Sequence, residues 1–198
     1  MGSHILKGDL SYPSKRIPLP WATAILIILI LPLGFYLGKW NFTLWVSFIV
    51  WAEYFALGAK VDTWKLIMPS IPFGAVFGAA WCTSAVALCN ILTPYLGPVN
   101  GLYAAFALTN LIWVPLILYG LRWHHAFTAG TLAVFNGLGL QLAVYFTGSL
   151  PKVGPMENAY YVIWWSFLWS VLMAYVGWFF GWFNIVLTFP RKPGIDSE

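Results

Sequence analysis

Apolar residues fall into six long stretches along the chain, and short polar segments separate them. Each stretch is long enough to cross a bilayer, which takes roughly 17–25 apolar residues in a helix. None alternates in the manner of a barrel strand, and lipid cannot satisfy open backbone groups, so each stretch is expected to be helical. The predicted spans cover residues 20–38, 41–59, 66–91, 100–121, 125–148 and 158–188.

The composition agrees with a chain that lies almost wholly in a bilayer. Hydrophobic residues make up 61% of it and charged residues 8%, against roughly 25% charged in soluble domains. We predict an all-α polytopic membrane protein with one transmembrane domain over 1–198 and polar tails at 1–19 and 189–198. The lipid bilayer is its expected partner, and the lack of a basic tract argues against nucleic acid.

Lysine and arginine are unevenly divided between the two ends of the predicted spans. Lys39 and Lys152 fall on one side. The other side holds Lys7, Lys15, Arg16, Lys60, Lys65, Arg122, Arg191 and Lys192. The positive-inside rule places the richer side, and with it both termini, in the cytoplasm.

Glu53 is the one charged residue inside the predicted spans. A carboxylate in the hydrocarbon region costs at least roughly 2.5–3.5 kcal/mol, so such a residue usually faces a cavity or a polar partner and marks a functional site. No Lys, Arg or His shares its span, and desolvation is therefore expected to keep the carboxyl protonated at neutral pH. The simpler alternative is a protonated Glu53 that makes one structural hydrogen bond to a neighbouring helix.

Two short motifs recur in the two halves of the chain. Pro-Leu-x-x-Tyr-x-x-Lys/Arg-Trp occupies residues 32–40 and again 115–123, an offset of 83. A Gly-x-x-x-Gly motif occurs in the third span and again in the sixth, an offset of 103. Its glycines, which are predicted to pack helices closely, are Gly74, Gly78, Gly177 and Gly181. The motifs predict a duplication with halves at 20–91 and 100–188.

The predicted halves have opposite orientations in the membrane, because each contains three spans. Such a 3+3 inverted repeat is common in secondary transporters, which bind their substrate near the midplane between the halves. An offset of 83 relates Glu53 to Asn136, both predicted in mid-helix, and Gln141 follows on the same helix as Asn136. These polar groups are predicted either to line a pore or to hydrogen-bond to each other and hold the halves together.

Aromatic residues surround the predicted polar site. The chain has 13 tryptophans, and Trp51 and Tyr54 lie beside Glu53 in the second span. Rings at this depth can form a narrow apolar constriction that passes small neutral solutes and opposes hydrated ions. They can equally fill a protein core, and the sequence leaves both interpretations open.

Little else in the sequence suggests chemistry. Cys82 and Cys89 are seven residues apart on one predicted helix, with no acid or His nearby, so neither a metal site nor a cofactor is predicted. The chain has no HExxH, G-x-S-x-G or phosphate-loop motif, and an enzyme is therefore disfavoured.

One set of residues lies around the second and third spans and at the start of the fifth, namely Trp45, Phe48, Ala52, Tyr54, Phe55, Ala56, Trp64, Lys65, Pro69, Ser70, Gly74, Gly78, Trp81, Phe127, Gly130 and Thr131. Together with the glycine-rich sixth span, these residues resemble the YcdZ-type bacterial inner-membrane proteins. The resemblance implies a small polytopic protein of the bacterial inner membrane and assigns no substrate. The chain departs from the family in its long N-terminal tail, its tryptophan content and an insertion at 149–157.

Taken together, these features favour a homo-oligomeric channel or facilitator for a small neutral or weakly polar solute, with Glu53 at an aromatic constriction. The alternative is an accessory subunit of a larger membrane complex, with no solute path of its own. A membrane enzyme that uses Glu53 as a base is least favoured. Polar side chains from both halves that converge on one continuous cavity would favour the channel.

Overall fold

The computed structural model describes residues 17–40 and 42–188, and within them every regular element is helical. Most of the two predicted tails, with five of the basic residues used to orient the chain, lies outside the described residues. The α-helices are α1 Leu19–Tyr36, α2 Leu44–Ala56, α3 Trp64–Leu96, α4 Pro98–Gly120, α5 His125–Ala129, α6 Thr131–Thr147 and α7 Ala159–Thr188. Single 3₁₀ turns at Gly38–Trp40 and Val61–Thr63 precede α2 and α3. The predicted all-α fold is confirmed for this part of the chain.

Among the described residues, α1, α3, α4 and α7 are long and apolar enough to cross a membrane by length and composition. The apolar helices α2 and α6 are shorter, with 13 and 17 residues. At 1.5 Å per residue they measure roughly 20 and 25 Å, less than the hydrocarbon core of about 30 Å. The structure is therefore a helical bundle of membrane type, with four helices of membrane length.

The second predicted span ends early because the backbone turns sharply after Ala56. Gly58 and Ala59 both have positive φ, 94° and 53°, and the Ala59 N–H bonds to the Tyr54 carbonyl. Glu53 therefore lies in the last turn of α2. The prediction from the sequence that Glu53 lies in mid-helix is wrong.

The fifth predicted span is divided into α5 and α6 at Gly130. A Cβ on Gly130 would lie 2.6 Å from Ser70 Oγ of α3, so this position requires a residue without a side chain. The Ser70 hydroxyl also donates to the Ala126 carbonyl of α5 at 3.0 Å. Contact with α3 therefore holds the short α5 in place and sets where α6 begins.

Helix α3 contains Pro69 and Pro72 beyond its first turn and is broken by neither of them. Proline has no N–H, and Pro72 therefore cannot donate to the Met68 carbonyl four residues earlier. The Tyr175 hydroxyl of α7 donates to this carbonyl instead, at 2.9 Å. One proline in α3 thus provides an acceptor for a distant helix.

The helices pack in two groups that do not follow chain order. The first unit contains α1, α2 and α7. Trp169 Nε1 donates to Thr43 Oγ1 at 2.9 Å and Ser47 Oγ donates to the Met173 carbonyl at 2.8 Å, so α2 and α7 run parallel. Helix α1 packs on α7, and Asn184 Nδ2 donates to Thr23 Oγ1 at 2.8 Å near the start of α1 and the end of α7.

The second unit contains α3, α4, α5 and α6. Helix α4 runs antiparallel to α3, because Gly101 lies against Thr93 and Gly120 lies against Phe73. Helix α6 runs parallel to α3, since the backbone of Val134 lies against Gly74 and Gln141 lies further along both helices against Gly78.

Glycine allows the closest helix approach in each unit. A Cβ on Gly177 of α7 would collide with the carbonyl group of Ser47 in α2. A Cβ on Gly74 of α3 would collide with the carbonyl group of Val134 in α6. Each unit is therefore built around one pair of parallel helices whose backbones are in contact, α2–α7 in the first unit and α3–α6 in the second.

Candidate functional site

The two units meet where α7 packs against α3 and α6 and where α2 approaches α6. We call this surface the unit interface. The Tyr175–Met68 hydrogen bond crosses it from α7 to α3. Two further side-chain hydrogen bonds cross it, Gln141 Nε2 to Ser166 Oγ at 3.1 Å and Asn136 Nδ2 to Glu53 Oε2 at 2.9 Å. Buried polar side chains therefore lie along the boundary between two apolar units.

Glu53 is only partly satisfied at this interface. Its side chain is 3% exposed. Oε2 accepts the Asn136 amide, while Oε1 is buried and has no hydrogen-bond partner. A buried polar atom without a partner costs roughly 1–3 kcal/mol, so this carboxyl oxygen reduces the stability of the arrangement in which it is found.

Gln141 repeats this pattern about one and a half turns further along α6. The residue is fully buried, and its Oε1 has no partner although its Nε2 donates to Ser166. Its amide end lies against Gly78, where a Cβ would be 2.5 Å from Oε1. Glu53 thus leaves one oxygen unpaired at the unit interface. Gln141 reaches the interface through Nε2 and leaves its oxygen unpaired against Gly78 of its own unit.

The two aromatic residues of the predicted site pack inside the first unit. Trp51 belongs to a cluster with Leu26, Ile30 and Phe180, and its buried Nε1 has no partner. Tyr54 is fully buried, and its hydroxyl donates to the Ala59 carbonyl at 3.0 Å, which closes the end of α2. Trp51 and Glu53 are two residues apart on α2, and residues with this spacing lie on different faces of a helix. Glu53 therefore contacts half-buried Asn136, whereas the Trp51 ring packs in a different cluster.

Ser166 and Tyr175 also take part in the unit interface and were not predicted from the sequence. Pro72 could have indicated Tyr175, since a proline inside α3 leaves one carbonyl in need of a donor. Ser166 gives no such signal. Its hydroxyl donates to the Ile163 carbonyl at 2.7 Å, as serines inside helices often do, and so it resembles an ordinary helical serine.

Two cavities lie away from this polar contact. One of about 40 Å³ between α3, α4 and α6 is lined by Phe77, Trp81, Asn110, Trp113, Val114, Ile117 and Leu138. The other is a groove of about 430 Å³ where the α1–α2 connection meets the start of α7. Neither has Glu53 or Asn136 in its lining. In the part of the chain that the structure describes, no group of three or more His, Cys, Asp or Glu could hold a metal ion.

No protein-family model matches this chain, and no curated protein or solved structure matches it either. The likeness to the YcdZ-type proteins therefore stays a prediction that rests on the residues quoted above.

Proposed function

We propose that this protein is a facilitator for small neutral or weakly polar solutes, and that solute passes along the unit interface when the two units rock apart. The observation that carries the proposal is the pair of buried oxygens without a hydrogen-bond partner, Glu53 Oε1 and Gln141 Oε1. Each lowers the stability of the closed arrangement. Gln141 Oε1 accepts hydrogen bonds, whereas a protonated Glu53 presents a hydroxyl that donates. A solute that both donates and accepts hydrogen bonds would satisfy both groups, so it would stabilise a more open arrangement.

An inverted repeat is part of this proposal, and matching contacts inside the two units support it. Gly74 meets Val134 as Gly177 meets Ser47. The glycine numbers differ by 103 and the numbers of their partners by 87. The same two offsets relate the contact of Gly78 with Gln141 to that of Gly181 with Tyr54.

A second pair of contacts supports the same correspondence for the outer helices. Trp81 Nε1 donates to Thr109 Oγ1 at 2.9 Å, and Asn184 Nδ2 donates to Thr23 Oγ1 at 2.8 Å. Trp81 and Asn184 differ by 103, and the two threonines differ by 86. The offset for the first two spans of each half is thus 86–87. The motif offset of 83 differs from it by about one helical turn, so the Pro-Leu-x-x-Tyr motif is out of register with the packing.

Helix directions also favour inverted halves. Met68 meets Tyr175, and Cys82 clusters with Ile163 further along α3 and earlier in α7, so α3 and α7 are antiparallel. Because α2 runs parallel to α7 and α6 runs parallel to α3, α2 and α6 are antiparallel as well. The proposal therefore treats the short α2 and α6 as crossing helices, which gives six spans. It places both termini on the side that the positive-inside rule assigns to the cytoplasm.

Motion between the units is the mechanism that we propose. Backbone contact at glycines makes each unit rigid, whereas side chains and a few hydrogen bonds join the units. Rocking of two such bodies around a central site is the usual route to alternating access. In this mechanism the bond between Asn136 and Glu53 holds the interface closed until solute competes for it.

The test is solute flux per folded protomer in proteoliposomes, measured for Asn136→Leu and for a matched control, Asn184→Leu. Both changes remove an amide that donates to an oxygen on another helix, but Asn184 bonds within the first unit. We expect Asn136→Leu to change the flux of small neutral solutes such as urea and glycerol. Asn184→Leu should lower thermal stability and leave that flux unchanged.

An accessory subunit without a solute path is the second candidate. It is favoured by the position of the two cavities described above, because neither has Glu53 or Asn136 in its lining. In that case Glu53 and Asn136 would only hold two helices together. Lower stability in both Asn variants, with unchanged flux in both, would support this candidate and contradict the facilitator.

A further inference from the structure

The larger cavity is an apolar groove that extends from two connecting segments down the side of α7. Its lining comes from the α1–α2 connection, from the segment before α7 and from α7 itself, namely Leu37, Trp40, Phe42, Pro151, Val153, Trp165 and Trp169. Its volume of about 430 Å³ lies in the range of small-molecule sites, which is roughly 300–1,000 Å³. The lining is aliphatic and aromatic throughout.

The α7 tryptophans turn their polar edges away from an occupant of this groove. Trp165 Nε1 donates to the Pro151 carbonyl at 2.8 Å, and Trp169 Nε1 donates to Thr43 Oγ1 at 2.9 Å. The two rings lie four residues apart on one face, with centroids 6.3 Å apart. Because these N–H groups already have acceptors, this wall of the groove offers apolar rings, and the part of a ligand that lies on it must be apolar.

The depth of the groove and the basic residues near it indicate the chemistry of the rest of that ligand. Trp165 and Trp169 are the seventh and eleventh residues of α7, so the groove reaches about 15 Å along the helix. At the end of the groove that the connecting segments form, exposed Lys152 lies between the lining residues Pro151 and Val153. Lys39 occupies the 3₁₀ turn that carries Trp40. Both basic residues that the sequence assigns to this side of the membrane thus belong to the segments that form the groove.

We propose that the groove binds one anionic glycerophospholipid, with an acyl chain along Trp165 and Trp169 and the phosphate near Lys152. Basic residues beside membrane helices are a recognised means of binding anionic headgroups. An acyl chain also matches a slot that begins at the connecting segments and runs along a membrane helix. Exposed Glu157 lies in the same segment, four residues beyond the lining residue Val153, whereas Lys152 adjoins two lining residues. This inference does not depend on the proposed solute path.

The experiment measures quenching of tryptophan fluorescence in phosphatidylcholine vesicles that contain increasing fractions of brominated phosphatidylglycerol or brominated phosphatidylcholine. We expect a saturable component with phosphatidylglycerol. Val153→Phe, which fills the groove, should remove it without changing the melting temperature. Lys152→Gln should weaken the preference for phosphatidylglycerol about fivefold, the factor that corresponds to about 1 kcal/mol for one basic residue. Glu157→Gln is the charge control and should not weaken it.

Three results would overturn the proposal. The first is quenching that is equal for the two lipids and unaffected by Lys152→Gln, which would indicate only the general lipid annulus. The second is a saturable component that survives in Val153→Phe, which would place the lipid elsewhere on the protein. The third is a groove inaccessible to both lipids together with a dimer that dissociates in Val153→Phe, which would show that a second copy of the chain covers it.

Discussion

Gly177 sets how closely α2 can approach α7, and an alanine at this position tests the packing of the first unit. The Cβ of Gly177→Ala would meet the backbone carbonyl of Ser47. A side chain could rotate away from such a collision, but a backbone carbonyl in a helix cannot, so the two helices must separate. Separation would also stretch the 2.8 Å hydrogen bond from Ser47 to Met173.

The expected loss of stability combines three contributions, which are the collision, the stretched hydrogen bond and the helix propensity of alanine. Overpacking of a tight site costs about 1–3 kcal/mol, and the hydrogen bond contributes about 0.5–1.5 kcal/mol. Alanine recovers about 1 kcal/mol through its better helix propensity. We therefore expect Gly177→Ala to reduce the free energy of unfolding by roughly 2 kcal/mol, and Gly74→Ala to behave similarly.

The assay is reversible unfolding in mixed micelles at increasing denaturing detergent, followed by circular dichroism. Gly139→Ala in α6 is the matched control, because a Cβ there has no atom within 4 Å. It should be neutral or stabilise the protein by up to about 1 kcal/mol. If Gly177→Ala unfolds at the same detergent concentration as Gly139→Ala, the close approach of α2 and α7 described above is incorrect.

Three further predictions follow from the turns, the prolines and the topology. Tyr175→Phe should destabilise the protein by about 1–2 kcal/mol, and by less in a Pro72→Ala background, where residue 72 can donate to Met68; additive losses in a double-mutant cycle would contradict this. Ala59→Gly should keep or raise the melting temperature because it relieves a positive φ, whereas Ala59→Val should lower it; equal melting temperatures would contradict the strain. Cysteines introduced near the two termini should react with an impermeant maleimide from the same side of the membrane, and labelling from opposite sides would refute inverted halves.

Three of the four long helices could be predicted closely from the sequence because length and apolarity are local properties, whereas α3 ends five residues beyond the predicted span 66–91. The first, fourth and sixth predicted spans, 20–38, 100–121 and 158–188, correspond within about two residues to α1, α4 and α7. The ends of α2 and α6 could not be predicted in this way. The end of α2 depends on a positive φ at Ala59, a conformation that alanine does not indicate in a sequence. The start of α6 depends on the approach of Ser70, which lies on a different helix, to Gly130.

The contact between Glu53 and Asn136 could be anticipated, because polar side chains in lipid seek one another. The oxygens that Glu53 and Gln141 leave unpaired could not be predicted. Which atoms find partners depends on how α2, α6 and α7 are set against each other, and glycine–backbone contacts between residues far apart in the chain fix that setting. The same contacts direct Trp51 toward Phe180, a neighbour that no local pattern indicates.

The pairing of α2 with α7 has a consequence for how the protein is made. About 120 residues separate the end of α2 from Gly177 in α7. At ~5–20 residues per second, a ribosome needs roughly 6–24 seconds to produce them. During that time Ser47 must be shielded by the insertion machinery or by lipid headgroups, since the helix that receives its hydroxyl does not yet exist. A nascent chain released before Ala159 would leave α2 without its neighbour, and such fragments should be cleared by membrane proteases while the full-length chain persists.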